Sequence, residues 1–188
     1  MINDYEARNS ITNPAKNDLG GDRALTNDDV ISTLNNLIET CKDGQEGFRQ
    51  AADGVERSDI KSLFFEFSQQ RAKFAGELQT LVRELGGDPE NSGSMAGALH
   101  RGWINIKSAV TGRDEEAILN EAERGEDSAK DNYRAACEMD LPANVMTVVR
   151  DQYESVKMAH DRVKALRNTF ANQGEGTTGS SRTAGGAA

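Results

Sequence analysis

The side chains that could do chemistry in this chain are a histidine, His160, and two carboxylates from a neighbouring stretch of helix, Glu126 and Glu121. Each falls on or beside the apolar stripe of a predicted helix, so each is expected to reach the interior of a helical bundle. Carboxylate and imidazole groups that face one another there suit iron or manganese. These three residues are therefore the candidate metal ligands.

A complete two-metal centre needs more ligands than the sequence supplies. In carboxylate-bridged bundles two helices each give one Glu and two give Glu-x-x-His, all pointing inward. The residue three before His160 is Lys157, and the corresponding places on another predicted helix hold Arg71 and Phe74. We therefore expect no ferroxidase centre, no catalytic residues and no bound cofactor, with iron or manganese as the alternative.

Arg71 interrupts the apolar stripe of its predicted helix and carries a permanent charge into the core. A guanidinium ligates no metal, and once buried it needs a carboxylate partner. The preferred prediction is a core salt bridge from Arg71 to Glu126 or Glu121, in the space that a two-metal centre would fill. The alternatives are a one-metal site that uses Glu126 and His160, with Glu121 or Glu77 as a further ligand, and no defined polar core.

Two further polar residues lie on inward faces of the predicted helices. Gln152 and Tyr133 are predicted to lie beside His160 or one helical turn from it. With Arg71 they make up the predicted structural polar core. Such a layer fixes the register of helices at some expense in stability.

A basic and aromatic group lies on the segment that is predicted to cross between the helix pairs. His100, Arg101 and Trp103 could form a surface site or a contact for a partner. The interpretation that we favour is that Trp103 anchors the crossover to the bundle, because a lone tryptophan most often packs as an anchor.

Four amphipathic helical segments must position these side chains. Their apolar residues recur at steps of three and four, over Asn27–Ala52, Ser58–Leu85, Asp114–Met139 and Pro142–Ala171. Thr26 or Asn27 is the predicted N-cap of the first segment and Ser58 that of the second. Residues 1–26 and the Gly/Ser/Thr/Ala-rich residues 172–188 are predicted to be disordered.

The lengths of the connections predict the fold. Short connections make the first pair and the last pair of segments two antiparallel hairpins. Residues 86–113, with a short helix over Met95–Val110, are long enough to return the chain along the bundle, so that the second and third segments run parallel. This layout predicts an all-α, ferritin-like four-helix bundle over residues 27–171. Gly44 and Gly125 in the stripes would let helices approach closely, within one bundle or between chains.

The composition argues against several classes of function. A net charge of −9 at pH 7 disfavours nucleic acid and anionic membranes as partners, and no apolar run approaches the roughly 20 residues that span a bilayer. Cys41 and Cys137 lack a CxxC partner, which favours free thiols and a cytoplasmic location. No phosphate-binding glycine loop, nucleophile elbow or HExxH motif occurs.

Four segments carry a resemblance to a known family. They read, in order, LIETCKDGQEGFRQAA, SLFFEFSQQRAKFAGELQTLVRELGG, SGSMAGALHRGWINIKSAVTG and AERGEDSAKDNYRAA. In these segments the chain resembles a bacterial four-helix-bundle family with a domain-of-unknown-function label, within the ferritin-like superfamily. The resemblance spans about Asn27 to Phe170, and ALHRGW is its most specific part. It implies a ferritin-like bundle from a bacterium and no established activity.

Two functional hypotheses follow from the residues and the resemblance. The preferred hypothesis is a non-enzymatic cytoplasmic bundle, an accessory or stress-associated protein that acts through its surface or by homo-oligomerisation. The sequence does not name the protein partner. The rival hypothesis is a metal-binding, redox-active bundle with a reduced carboxylate and histidine site.

Overall fold

The computed structural model describes residues 25–89, 103 and 105–176. Within these residues the chain forms helices and no strand, which confirms the predicted all-α class. The helices are α1 Asn27–Gly54, α2 Ser58–Glu84, α3 Ile106–Gly112, α4 Glu115–Cys137 and α5 Ala143–Gly176. His100, Arg101 and most of the residues predicted to be disordered lie outside the described residues. No described helix is long and apolar enough to cross a membrane.

The starts of α1 and α2 are held by different chemistry. The Thr26 hydroxyl accepts from the backbone N–H of Asp29, and the Asp29 carboxylate accepts from the Thr26 N–H, which makes a capping box. Ser58, predicted as a cap, is instead the first residue of α2, and the cap position belongs to Arg57. The backbone N–H of Arg57 bonds to the carboxylate of Glu115 from α4, so a tertiary contact replaces the local cap.

The last helix runs past its predicted end. Residues 172–176, predicted to begin a disordered tail, belong to α5, which starts at Ala143 just after Pro142. Near this end, Phe170 packs against the apolar core and under the guanidinium of Arg57, whose Cζ lies 5.4 Å from the ring centroid. These contacts hold the end of α5 against the bundle. The Gly/Ser/Thr/Ala-rich composition of residues 172–188 did not predict that the helix continues to residue 176.

In the described residues, the crossover helix begins later than predicted and ends later than predicted. The described helix α3 covers Ile106–Gly112, which overlaps the end of the predicted Met95–Val110 and extends two residues beyond it. It ends at Arg113, which has a φ of 52°. The rest of the predicted crossover helix, other than Trp103 and Asn105, lies outside the described residues.

Contacts between helices show the predicted directions. At the start of α1 the Asn27 side chain donates to the carbonyl of Leu85, just after the end of α2, so α1 and α2 are antiparallel. At the start of α4, Glu115 bonds the backbone that leads into α2, and farther along Glu126 meets Arg71. The two helices α2 and α4 therefore run parallel, as predicted.

The apolar core consists of two clusters with a polar layer between them. The buried members of the first cluster include Val30, Leu34, Leu37, Ile38, Cys41, Phe74, Leu78, Ala129, Tyr133, Val149 and Val156. Those of the second include Phe48, Ile60, Phe64, Ile118, Leu119, Ala122 and Val163. Each of the four long helices passes from one cluster to the other through a buried residue that is not apolar. These residues, which define the polar layer, are Gly44, Arg71, Glu126 and His160.

Candidate functional site

An ion pair between Arg71 and Glu126 occupies the polar layer. Nη2 of Arg71 donates to Oε2 of Glu126 at 2.7 Å, and each side chain is 1% exposed. Of the two carboxylates that the sequence offered to Arg71, the structure uses Glu126. The predicted core salt bridge is therefore formed.

Gly44 makes room for the Arg71 side chain. A Cβ at Gly44 would lie 3.3 Å from Cγ and 3.4 Å from Cδ of Arg71. On its other side the guanidinium packs over the ring of Phe74, with Cζ 5.8 Å from the centroid. The sequence had suggested that Gly44 lets two helices approach. It instead accommodates the stem of a long cation, which the apolar stripe could not reveal.

The ion pair leaves polar atoms unpaired. Nε of Arg71 and Oε1 of Glu126 are buried and have no hydrogen-bond partner among the described residues. Burial raises the pKa of the Glu126 carboxyl, while the charge and hydrogen bond of Arg71 act in the opposite direction. Arg71 is thus the main group that opposes protonation of Glu126.

A second buried network crosses the bundle within the first cluster. The Tyr133 hydroxyl donates to Oε1 of Gln152 at 2.7 Å, and the amide of Gln152 donates to Oε2 of Glu77 at 2.8 Å. The Sγ atom of Cys41 lies 3.0 Å from the Tyr133 hydroxyl. One residue from each long helix takes part. Gln152 and Tyr133, predicted to lie beside His160 or one helical turn from it, bond to each other and to these other partners.

The buried thiol and phenol of this network predict a loss of stability in alkali. Burial raises the pKa of Cys41 to about 11, from an ordinary value of 9.0. Burial also raises the pKa of Tyr133 well above its ordinary value. The unfolded chain therefore releases these protons at lower pH than the folded chain, so stability falls as the pH rises from about 9 to about 11. Cys41 alone contributes about 2–3 kcal/mol to that fall.

The variant Cys41→Val is expected to show a shallower fall over this pH range, because it removes one of the two groups. Urea unfolding at pH values from about 8 to about 11 measures the slope. The comparison variant is Cys137→Val: burial also raises the pKa of this partly exposed free thiol, so we expect a smaller change in slope than in Cys41→Val. A Cys41→Val protein whose stability falls as steeply as the wild type would contradict the prediction.

His160 lies at the edge of the polar layer, between α4 and α5. Its Nε2 is 3.0 Å from Oδ1 of Asp127 and 3.0 Å from Nζ of Lys130. Its Nδ1 is 2.9 Å from Oδ1 of Asp161. The imidazole is therefore surrounded by two carboxylates and one ammonium group, and its side chain is only 6% exposed.

The predicted ligands do not converge on one point. His160 instead meets Asp127 and Glu123, and one ligand atom from each of these three residues lies within 4.8 Å of the others. Glu126 is engaged by Arg71, and Glu121 lies elsewhere. Neither Asp127 nor Glu123 was among the ligands that the sequence predicted. The spacing of four between Glu123 and Asp127, which puts both on one helix face, was the available signal.

Glu121 holds the crossover to α4. Its Oε1 accepts from the backbone N–H of Asn105 at 2.7 Å and also pairs with Arg124. Glu121 is buried. Its predicted roles, as a metal ligand or as the partner of Arg71, are therefore wrong.

Trp103 lies in a slot between α1 and α4. A Cβ at Gly47 would lie 2.1 Å from the indole ring, and a Cβ at Gly125 would lie 2.3 Å from it. The ring of Phe48 meets the indole edge-on, with centroids 5.0 Å apart. The two glycines therefore make space for the indole, which supports the anchoring interpretation. Gly125 serves this side chain rather than a close approach of helices.

A two-metal centre of the kind found in related bundles does not fit the polar layer. Between α2 and α4 the space holds a guanidinium, which has no lone pair to offer a metal. The carboxylate beside it, Glu126, is committed to that guanidinium. The nearby buried network supplies a phenol, an amide, a thiol whose pKa is raised, and the Glu77 carboxylate, which accepts a hydrogen bond from the amide. This donor set is unlike the six carboxylate and imidazole ligands that two metal ions need.

Comparisons with known proteins agree with this architecture. Residues 29–139 match a family described as "Domain of unknown function (DUF2383)". No curated protein matches the chain. The fold is similar to the crystal structure of a two-domain protein from Anabaena variabilis that contains DJ-1/ThiJ/PfpI-like and ferritin-like domains. The TM-score is 0.66 and the identity is 17% over 88% of this chain. This chain covers 42% of that protein, and the likeness confirms the ferritin-like fold.

Proposed function

The chain belongs to the DUF2383 family of unknown function, and we propose that it is a non-enzymatic accessory protein that acts through its surface. One observation carries the proposal: the buried ion pair of Arg71 and Glu126 fills the layer where a bundle of this fold would hold its metal ions. A core used in this way contributes structure and specificity of packing. It leaves no ligand set there for oxidation chemistry.

The second buried network supports the same proposal. The hydrogen bonds of Tyr133, Gln152 and Glu77 are directed at one another. A catalytic group would need access to a substrate, whereas Tyr133 and Gln152 are almost wholly buried. The polar groups of the core are therefore bonded to one another, which leaves the outer faces of the helices to bind a partner.

The partner class and the location complete the proposal. We propose that the bundle binds another protein or further copies of itself. We place it in the cytoplasm of a bacterium, where it would act during stress. Both cysteines are free, which suits a reducing compartment. In the Anabaena variabilis protein a ferritin-like domain is joined to a second domain, so this fold also occurs as one part of a larger protein.

The proposal predicts that the protein does not accelerate the oxidation of ferrous iron. Fe²⁺ is mixed with the protein in air, and Fe³⁺ formation and oxygen consumption are followed over time. We expect the rates to equal those in buffer without protein, because the polar layer offers the metal no complete ligand set. A protein-dependent oxidation that disappears in Glu126→Gln would contradict the proposal.

A further inference from the structure

We propose that the edge of the bundle between α4 and α5 binds one divalent transition-metal ion through His160, Asp127 and Glu123. This site shares His160 with the polar layer but does not use the ion pair of Arg71 and Glu126. It keeps His160 from the ligands that the sequence indicated and replaces Glu126 and Glu121 by Asp127 and Glu123, and it does not require the protein to be an enzyme.

The three donors already surround one point. One ligand atom of each residue lies within 4.8 Å of the others, and Nε2 of His160 is 3.0 Å from Oδ1 of Asp127. Two atoms that bind the same ion at about 2.0–2.2 Å lie roughly 3 Å apart, so the separation of the His160 and Asp127 atoms is compatible with a shared ion. Asp127 and Glu123 are four residues apart and share a helix face.

The imidazole is oriented as a metal ligand is. Nδ1 of His160 lies 2.9 Å from the carboxylate of Asp161. A histidine that binds a metal through one nitrogen commonly donates its other N–H to a carboxylate, which fixes the tautomer and the ring direction. Because the ring is almost wholly buried between the helices, its Nε2 is held towards Asp127 and Glu123.

The ammonium group of Lys130 lies where the metal ion would bind. Nζ of Lys130 lies 2.9 Å from Oδ1 of Asp127 and 3.0 Å from Nε2 of His160. The geometry therefore stabilises positive charge between Asp127 and His160. Lys130 has a long, flexible stem and can leave for solvent when a divalent ion enters.

Arg167 positions the third ligand. Its Nη2 donates to Oε1 of Glu123 at 2.9 Å, and its Nε lies 2.6 Å from Oε2. Glu123 is held by one hydrogen bond and by the ion-pair contact of Nε, which does not have hydrogen-bond geometry, and its side chain is only 13% exposed. An ionised carboxylate has about four lone-pair positions, so Glu123 can keep Arg167 and still bind a metal ion.

The donor set defines the class of metal. One imidazole nitrogen and two carboxylates suit zinc, manganese or ferrous iron. Two carboxylates also balance the charge of a divalent ion without help from Lys130. The bound ion is expected to join α4 to α5 and so to raise the melting temperature of the bundle.

Calorimetric titration of the full-length protein with Zn²⁺ tests the proposal. We expect one ion per chain, with affinity lowered at least about tenfold in His160→Gln and in Asp127→Asn. Lys130→Ala is expected to bind Zn²⁺ at least about tenfold more tightly, because the competing ammonium is gone. Lys157→Ala is the matched control, since it removes a lysine from the exposed surface of α5 one turn from His160.

Three results would overturn the site. These are no one-to-one binding of Zn²⁺, wild-type affinity in both His160→Gln and Asp127→Asn, or an equal gain in Lys130→Ala and Lys157→Ala. Asp127 has a half-exposed side chain, so Asp127→Asn leaves the core intact. This variant therefore still tests the site if His160→Gln fails to fold. Zn²⁺ binding without ferrous oxidation leaves the proposed function standing, so the two proposals fail separately.

Discussion

Arg71→Met destabilises the protein by about 3–5 kcal/mol, the largest loss that we expect from a substitution in the polar layer. The substitution leaves the Glu126 carboxylate buried at 1% exposure with no cation beside it. Glu126→Gln should cost a similar free energy, because it strands the guanidinium instead. Urea unfolding near neutral pH measures both losses.

A double variant separates the ion pair from simple packing. Arg71→Met with Glu126→Leu is expected to recover most of the stability, because an apolar pair leaves no buried charge. The control is Arg134→Ala, which breaks an exposed pair with Asp131 and should leave the unfolding midpoint unchanged. Losses that simply add in the double variant would show that Arg71 and Glu126 are not coupled.

The loss of stability caused by Arg71→Met should grow as the pH rises. Burial raises the pKa of Glu126, and without Arg71 that pKa rises further. The folded variant then holds its proton at pH values where the unfolded chain has released it. Its stability relative to the wild type therefore falls as the pH rises above 4.5, the ordinary pKa of a glutamate side chain. A gap between the two proteins that does not change over this range would contradict the assignment.

Gly125→Ala is expected to expel Trp103 from its slot and to destabilise the bundle by about 1–3 kcal/mol. The new methyl group would lie 2.3 Å from the indole ring, so the ring or the helix must move. Trp103 is the only tryptophan in the chain, so its fluorescence reports the change directly. We expect emission at longer wavelength in the variant, as the indole becomes wet.

Gly76→Ala is the matched control for this effect. A Cβ at Gly76, also inside a helix, would meet nothing within 4 Å. Alanine there should stabilise α2 by about 0.5–1 kcal/mol and leave the emission of Trp103 unchanged. A Gly125→Ala protein that is also stabilised, with unshifted emission, would show that Trp103 does not occupy the slot.

Periodicity predicted the helices and their directions because each helix must bury one apolar stripe. Arg71 stood out in such a stripe, and its need for a carboxylate limited the choice to two residues on α4. The choice of Glu126 depended on the register of α4 against α2, which the sequence of one helix does not contain. Glu121 lies more than one turn away and faces the crossover instead.

The partners of His160 were missed for the same reason. Periodicity placed His160 inside, but α4 presents different carboxylates to different neighbours. Glu126 faces α2, whereas Glu123 and Asp127 lie beside α5. The roles of Gly44 and Gly125 were equally hidden, because a small residue in a stripe indicates space without indicating what fills it. Which side chain fills each space is determined by how the helices pack against one another.

Anomalous X-ray diffraction from crystals grown with iron, manganese or zinc is the most direct test of the central claim, that an ion pair stands where a metal centre would be. Arg71 and Glu126 should remain in contact, at about the 2.7 Å of the described pair, with no anomalous peak between α2 and α4. A metal peak bound to Glu126 in that layer, with Arg71 turned out to solvent, would contradict the claim.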